Sequence, residues 1–271
     1  MGKTLKSFDG TKIYYETMGD HYKARSLIFL HGLGGDLTAW NEERLNLYKH
    51  GYSSVAVDLR AHGLSDRPGK RESYSLQNFA QDIKELINKE KIIKPIIVGH
   101  CFGGMVAMTL VGQYPEIAKA MILVDTNYKS PFLSHLFLVN YPLHHIFYLA
   151  EKIVPGFHLS GHRDFRKYKN NGDYNLIRIA TDIAGVSLKN YMMVFEKFMD
   201  FNASDWLGKI TIPTLVIEGN NDSVFPPEVA RALHKRIIKS RIHFIKNANH
   251  ILLTNNPKEL SQAILNFIRM V

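Results

Sequence analysis

GHCFGG, residues 99–104, follows the apolar run IIKPIIV (92–98) and precedes MVAMTLVGQY (105–114), which reads as a helix. The only cysteine of the chain, Cys101, thus sits between glycines where a strand becomes a helix. A turn that tight presses backbone against backbone and strains its central residue, so side chains at Gly99 and Gly103 would collide with neighbouring elements. The pattern has the form of a nucleophile elbow, which holds one reactive side chain out above a sheet. At a helix N-terminus the positive end of the helix dipole favours thiolate over thiol. Cys101 therefore reads as a nucleophile rather than as the small buried hydrophobe that most free cysteines are.

A nucleophile needs a base and an orienting acid. His250, in NANHILLTNNP (247–257), lies between the last strand candidate and the last helix candidate and is the expected base. Asp222, in IEGNNDSVFP (217–226), follows the penultimate strand and is the expected acid. Asp125, at the end of ILVDTN (122–127), is its rival, read instead as a hydrogen bonder that ties down the turn. The order nucleophile, acid, base along the chain is the order that the elbow architecture requires.

Outward from the elbow, short β-branched runs alternate with helical patterns. Strand candidates are TLKSF (4–8), KIYYETMG (12–19), SLIFLHG (26–32), SSVAVDLR (53–60), PIIVGH (95–100), AMILVDT (120–126), PTLVIEGN (213–220) and RIHFIKN (241–247). The alternation predicts an α/β fold, a mostly parallel eight-stranded sheet flanked by helices, opened by a hairpin at Asp9-Gly10. Ser75 is placed to cap a helix over 76–87, and Asn256, Pro257 and Glu259 mark the start of the last helix with a capping box. Between 127 and 205 no strand candidate appears and prolines and glycines break helical stretches. That segment is expected to be a helical cap inserted in a core domain made of 1–126 and 206–271. Its aromatic and Met residues are expected to give an apolar acyl pocket, with Phe137, Tyr191 and Phe195 as candidate contacts; Trp40 reads as core support or as a further contact.

The 271 residues carry a formal charge of +9 and a pI near 9.4. The cations are scattered among acids with no recognition-module motif, so a solvated basic surface is expected and no nucleic-acid partner. Arg163, Arg166, Lys167 and Lys169 are positioned to attract an anionic substrate. One cysteine permits no internal disulfide, which suits a reducing cytoplasm. MGKTLKSFDGTKIYY has no apolar signal-like stretch, and no apolar run is long enough for membrane insertion. His135, His144, His145, His158 and His162 cluster without a metal-binding spacing, and no glycine-rich nucleotide loop occurs; neither metal nor organic cofactor is expected.

Together GHCFGG, HGLGGDLTAW (31–40), DLRAHGLSD (58–66), IEGNND (217–222) and NANHILLTNNP resemble the α/β-hydrolase superfamily, in its capped esterase, lactonase and peptidase-like branch. The resemblance spans nearly the whole chain outside the cap. It implies that Leu33, after the first His-Gly, and Phe102, after the nucleophile, donate the oxyanion N–H groups. It also implies an architectural part for the 58–66 block, where Ala61 stands at a usual glycine, and none in catalysis for Asp58 or His62. Sulfur replaces the usual serine oxygen, as it does in the dienelactone hydrolases. The expected activity is hydrolysis of a small or medium carboxylic ester or lactone through a thioester on Cys101. Slow covalent or plain binding of a small ligand, and C–C hydrolase, acyltransferase, iminopeptidase or haloperoxidase activity, are alternatives on the same framework.

Overall fold

The structure, a computed structural model, describes residues 2–20, 26–130, 145–150, 153–154 and 156–271. All eight expected strands form: β1 Gly2–Lys6, β2 Lys12–Met18, β3 Ser26–Leu30, β4 Ser53–Val57, β5 Ile96–His100, β6 Ala120–Val124, β7 Thr214–Gly219 and β8 Ser240–Ile245. They make one sheet in the order β1-β2-β4-β3-β5-β6-β7-β8. β2 runs antiparallel to both β1 and β4, and every other neighbouring pair is parallel. The β1–β2 turn closes as its sequence predicts, with Gly10 at φ 89° and the Asp9 carboxylate accepting from the Thr11 N–H at 3.0 Å.

Strand side chains alternate between faces, and both faces are covered. Ile28 and Leu30 of β3 enter one core with Ile97 of β5 and the inward sides of helices α2 (Leu76–Lys89) and α3 (Phe102–Gln113). Leu27 and Phe29 enter the other with Ile96 and Val98, α1 (Asn41–Lys49) and the C-terminal helix Pro257–Ile268. Helix α2 starts as expected, the Ser75 hydroxyl accepting from the Asn78 N–H at 3.2 Å. The last helix does not: Asn256 makes no side-chain cap, and Pro257, which has no N–H to satisfy, opens the helix instead.

Between β6 and β7 come α4 (Leu176–Val186) and α5 (Leu188–Asp200). The chain entering this segment pairs with the chain leaving it. Ser130 N–H donates to the Phe201 carbonyl at 2.9 Å and Ala203 N–H to the Tyr128 carbonyl at 2.7 Å. Helix α6 (Pro227–Arg236) follows β7, and α7 (Leu252–Asn255) precedes α8 (Pro257–Ile268). None of the helices among the described residues is long and apolar enough to cross a membrane.

Strand β4 lies to one side of β3 and β5 to the other, so the direction of winding reverses between β3 and β5. A crevice therefore opens at the carboxyl ends of those two strands, the usual ligand position in open α/β sheets. His31-Gly32-Leu33 leaves β3 there, and Cys101 leaves β5.

Candidate active site

Cys101 stands at φ 50°, ψ −115°, a conformation that L residues rarely adopt, and its N–H is fixed on the Val124 carbonyl at 3.0 Å. The bracketing glycines are required by contact. A Cβ on Gly99 would lie 2.5 Å from the carbonyl carbon of Gly103, and one on Gly103 would lie 2.6 Å from the His31 carbonyl oxygen. β5 and α3 can thus meet at this angle, and lean on β3, only without those side chains. Thr126 supports the turn from β6, its hydroxyl donating to the Cys101 carbonyl at 2.6 Å.

His250 Nδ1 meets Asp222 Oδ2 at 2.7 Å, and Cys101 lies near enough to the same ring to act on its charge. All three side chains are buried. Burial pulls the His250 ring towards neutrality, but the charge of Cys101 and the bond to Asp222 outweigh it and hold the ring well above the ordinary imidazole range. Burial pushes the Asp222 carboxyl up; the His250 bond opposes this and holds it below its usual value. The N–H groups of Val224 and Phe225 also donate to Asp222 Oδ1, at 2.7 and 2.8 Å.

Asp125 does not reach the ring as the acid. Its Oδ1 accepts the Gly219 N–H at 2.9 Å and ties the end of β6 to that of β7. His100 Nε2 faces the His250 carbonyl at 3.0 Å and donates to it, and burial pushes the His100 ring down to about 3, which keeps it neutral.

Leu33 and Phe102 lie on the two sides of the crevice. A Cβ on Gly32 would stand 3.3 Å from that of Cys101, which puts the Leu33 backbone beside the elbow. Neither the Leu33 nor the Phe102 N–H has an acceptor among the described residues. The Phe102 ring is fully buried, edge-on to Phe79 at 5.1 Å, and anchors the start of α3. The loop carrying Leu33 is held by imidazoles: His31 Nε2 accepts the Leu59 N–H and His62 Nε2 accepts the Gly34 N–H, both at 3.1 Å. Asp58 accepts the Leu37 and Leu64 N–H groups, each at 2.8 Å. These bonds give the 58–66 block a structural task. Ala61 in it adopts φ 70°, in the left-handed region where glycine is favoured.

Of the expected pocket residues, Tyr191 and Phe195 belong to one run of rings leading to the site. Tyr191 stacks on Phe195 at 6.2 Å, Phe195 on Phe198 at 5.7 Å, Phe198 meets Phe225 at 6.2 Å, and Phe225 stands edge-on to His250 at 5.2 Å. Trp40 must be corrected. It is fully buried against Phe29, ring centroids 5.1 Å apart, in the core on the opposite face of the sheet from Cys101, so no substrate reaches it. Phe137 lies outside the described residues, as do His135 and His144. Arg163 also departs from expectation: it bonds the Gly34 carbonyl, Asp36 and Asp182, and is engaged rather than free to attract substrate. His162 pairs with Asp58 at 2.7 Å.

Sequence reasoning missed Asp173. Its Oδ1 accepts the His250 N–H at 2.8 Å, and its Oδ2 accepts the Ser223 N–H at 2.9 Å and hydroxyl at 2.6 Å. One carboxylate thus holds the loops of the base and the acid together. Its surroundings, NNGDYN (170–175), look like an ordinary polar turn and carry no signal of this.

The family model described as the alpha/beta hydrolase fold matches residues 25–174, more than half of the chain, and the chain belongs to that family. Among relatives, epoxide hydrolase 3 of Xenopus tropicalis is 24% identical over 96% of this chain and 75% of its own length. Two solved structures superpose with a TM-score of 0.76 at 21% identity. They are an esterase from Exiguobacterium antarcticum, over 99% of this chain and 100% of that one, and the enol-lactonase from Burkholderia xenovorans LB400, over 98% and 100%. They share its fold.

Proposed function

We propose that the chain hydrolyses small to medium carboxylic esters or lactones by acyl transfer through Cys101. The observation that carries this is the His250–Asp222 pair with Cys101 acting on the same ring, set beside two N–H groups that have no acceptor among the described residues. The sulfur attacks the carbonyl carbon, and the Leu33 and Phe102 N–H groups stabilise the oxyanion, each by about 3 kcal/mol if typical. His250 gives a proton to the departing alkoxide, leaving a thioester on Cys101. His250 then takes a proton from water, which attacks the thioester carbonyl; the thiolate leaves and the carboxylic acid is released. Asp222 holds the ring in the tautomer that presents Nε2 to these transfers.

In this reading the 127–205 segment is a cap over the crevice, and Tyr191 and Phe195, the partly exposed members of the ring series, line the acyl side of the pocket while Phe198 and Phe225 back them from the core. The names of the structural neighbours, esterase and enol-lactonase, support the substrate class. The epoxide hydrolase relative suggests a different substrate, and the sulfur speaks against it. A thiolate that opened an epoxide would end as a thioether, with no carbonyl for water to attack, so turnover would stop after one event. An acyl thioester has that carbonyl.

The test is a panel of p-nitrophenyl acetate, butyrate and octanoate with γ-lactones alongside. Expected is steady release by the native protein and a loss of about 1,000-fold or more in Cys101→Ala. Equal rates in the two proteins overturn the assignment.

A further inference from the structure

Behind the His250–Asp222 pair the ends of β6 and β7 bring three carboxyl groups together. One oxygen each from Asp125, Glu218 and Asp222 lies within 4.8 Å of the others, and all three side chains are buried. The donors around them are unevenly shared. Asp222 receives the Val224 and Phe225 N–H groups and the His250 ring, and Asp125 Oδ1 receives the Gly219 N–H. Asp125 Oδ2 and both oxygens of Glu218, a residue with no exposed surface, receive no N–H or O–H donor from the described residues.

A buried carboxylate with no donor and two carboxyl neighbours is opposed by desolvation and by like charge at once. A proton removes both difficulties. A neutral carboxyl brings one O–H donor, which is what the cluster lacks, and the carboxylate oxygens within 4.8 Å of it are the neighbouring acceptors. We propose that Glu218 is a positioning residue which carries a proton at neutral pH and donates it in a hydrogen bond to Asp222, steadying the carboxylate that orients His250. Burial, with the charges of Asp125 and Asp222 behind it, pushes Glu218 well above the ordinary carboxyl range. Asp125 is pushed up as well, by burial. The negative charge of the cluster is thereby left on Asp222, the member that faces the imidazole. A cation would be the other remedy. It fits less well, because the positions without a donor are three oxygens on only two side chains, fewer than a hard cation's shell requires.

The influence on His250 rests on the proposed roles of Asp222 and His250, whereas the protonation of Glu218 is tested without any substrate. Infrared spectra of the native protein at pH 8 are expected to show the carbonyl stretch of a protonated carboxyl group, and Glu218→Gln is expected to lose one component of it. A native spectrum with no such band, or a Glu218→Gln spectrum with the band intact, overturns the proposal. So does a metal ion found by elemental analysis of the dialysed native protein and lost in Glu218→Gln. The kinetic arm follows the acid limb of kcat/KM with p-nitrophenyl butyrate. Glu218→Leu removes the donor, tightens the hold of Asp222 on the imidazolium proton, and moves the limb up by about one pH unit. Glu218→Gln, neutral and still a donor, moves it less than Leu does. A downward move of a unit or more in Glu218→Gln means that a charge was removed, and refutes a neutral Glu218. Absence of ester turnover in the native protein counts against the hydrolase reading and leaves the infrared result to decide Glu218.

Discussion

Replacing Asp173 by alanine removes the one acceptor shared by the two loops that carry Asp222 and His250. Three hydrogen bonds go; one donor is the N–H of buried His250, which keeps no other acceptor among the described residues, and the other two are the N–H and hydroxyl of Ser223, an exposed residue. Hydrogen bonds to a charged group contribute about 1.5–3 kcal/mol each, and three that share one carboxylate do not add fully, so a loss of about 3–5 kcal/mol is expected. In a domain of this size that lowers Tm by roughly 10 °C. The effect on catalysis comes through position. With its N–H untied, the His250 backbone is free to shift relative to Cys101, and a displacement near 1 Å costs about 100-fold in rate. Because the side-chain bonds of Asp173 run to the His250 and Ser223 loops and not to Cys101 or the Tyr191–Phe225 rings, the loss is expected in kcat with KM nearly unchanged. Asn offers an internal control. Its amide oxygen still accepts from the His250 N–H, while its NH2 faces the Ser223 N–H and cannot; stability falls by about 1–2 kcal/mol and kcat by about 10-fold. Urea unfolding with p-nitrophenyl butyrate kinetics at 20 °C reads both quantities. If Asp173→Ala unfolds within 0.5 kcal/mol of the native protein, or if Asn is as damaging as Ala in kcat, the shared-acceptor reasoning is wrong.

Burial opposes a charge on His162, but its bond to Asp58 outweighs this and raises the ring above 6.5. That contribution to stability is complete below pH 6.5 and is lost as pH rises through the folded-state value, so His162→Gln should flatten the fall in the urea midpoint between pH 6 and pH 8.5. An unchanged slope in the variant would rule the pair out as its source. Phe195 is the hub of the ring series, against Tyr191, Phe198 and Phe147. Phe195→Ala should raise KM for octanoate by about 10-fold and hardly change it for acetate, and an equal rise for both would remove these rings from the acyl pocket.

The sheet was legible because each strand carries its own local record: a run of five to seven residues, with one to three of them β-branched and turns at its bounds, suffices. The elbow was legible for a similar reason, since the glycines that permit it are adjacent to it in sequence. Trp40 shows the limit. Its apolarity announces burial, but which face of the sheet it joins depends on how Leu37–Trp40 leaves the crevice loop, and that is set by Asp36 and Asp58 side chains holding backbone N–H groups of the Leu37–Trp40 turn. Asp173 and Glu218 were hidden for another reason. Each acts through groups with no sequence signature of their own, backbone N–H donors in one case and a shortage of donors in the other. Asn256 misled because a side chain suited to capping is redundant where proline already removes the N–H it would satisfy.

The crevice loop and the 127–205 segment are fastened by histidines of opposite character, and the contrast follows from what each ring must bond. His31 and His62 each accept a backbone N–H on Nε2, while Nδ1 of each faces a carbonyl, of Gly32 and Arg60. Only a neutral imidazole can accept on one nitrogen and donate on the other. Both rings are fully buried, and burial pushes them below the ordinary value, His62 well below it. Their stabilising bonds are therefore complete above pH 6.5 and fail only as pH falls through those lower values. His162 works in the reverse sense, as a cation beside Asp58, and it weakens as pH rises. Between those two failures lies a pH window in which the Leu33 loop is held and His162 is still clasped to Asp58. An oxyanion site requires the first of these, because its N–H groups must be aimed before charge develops on the substrate.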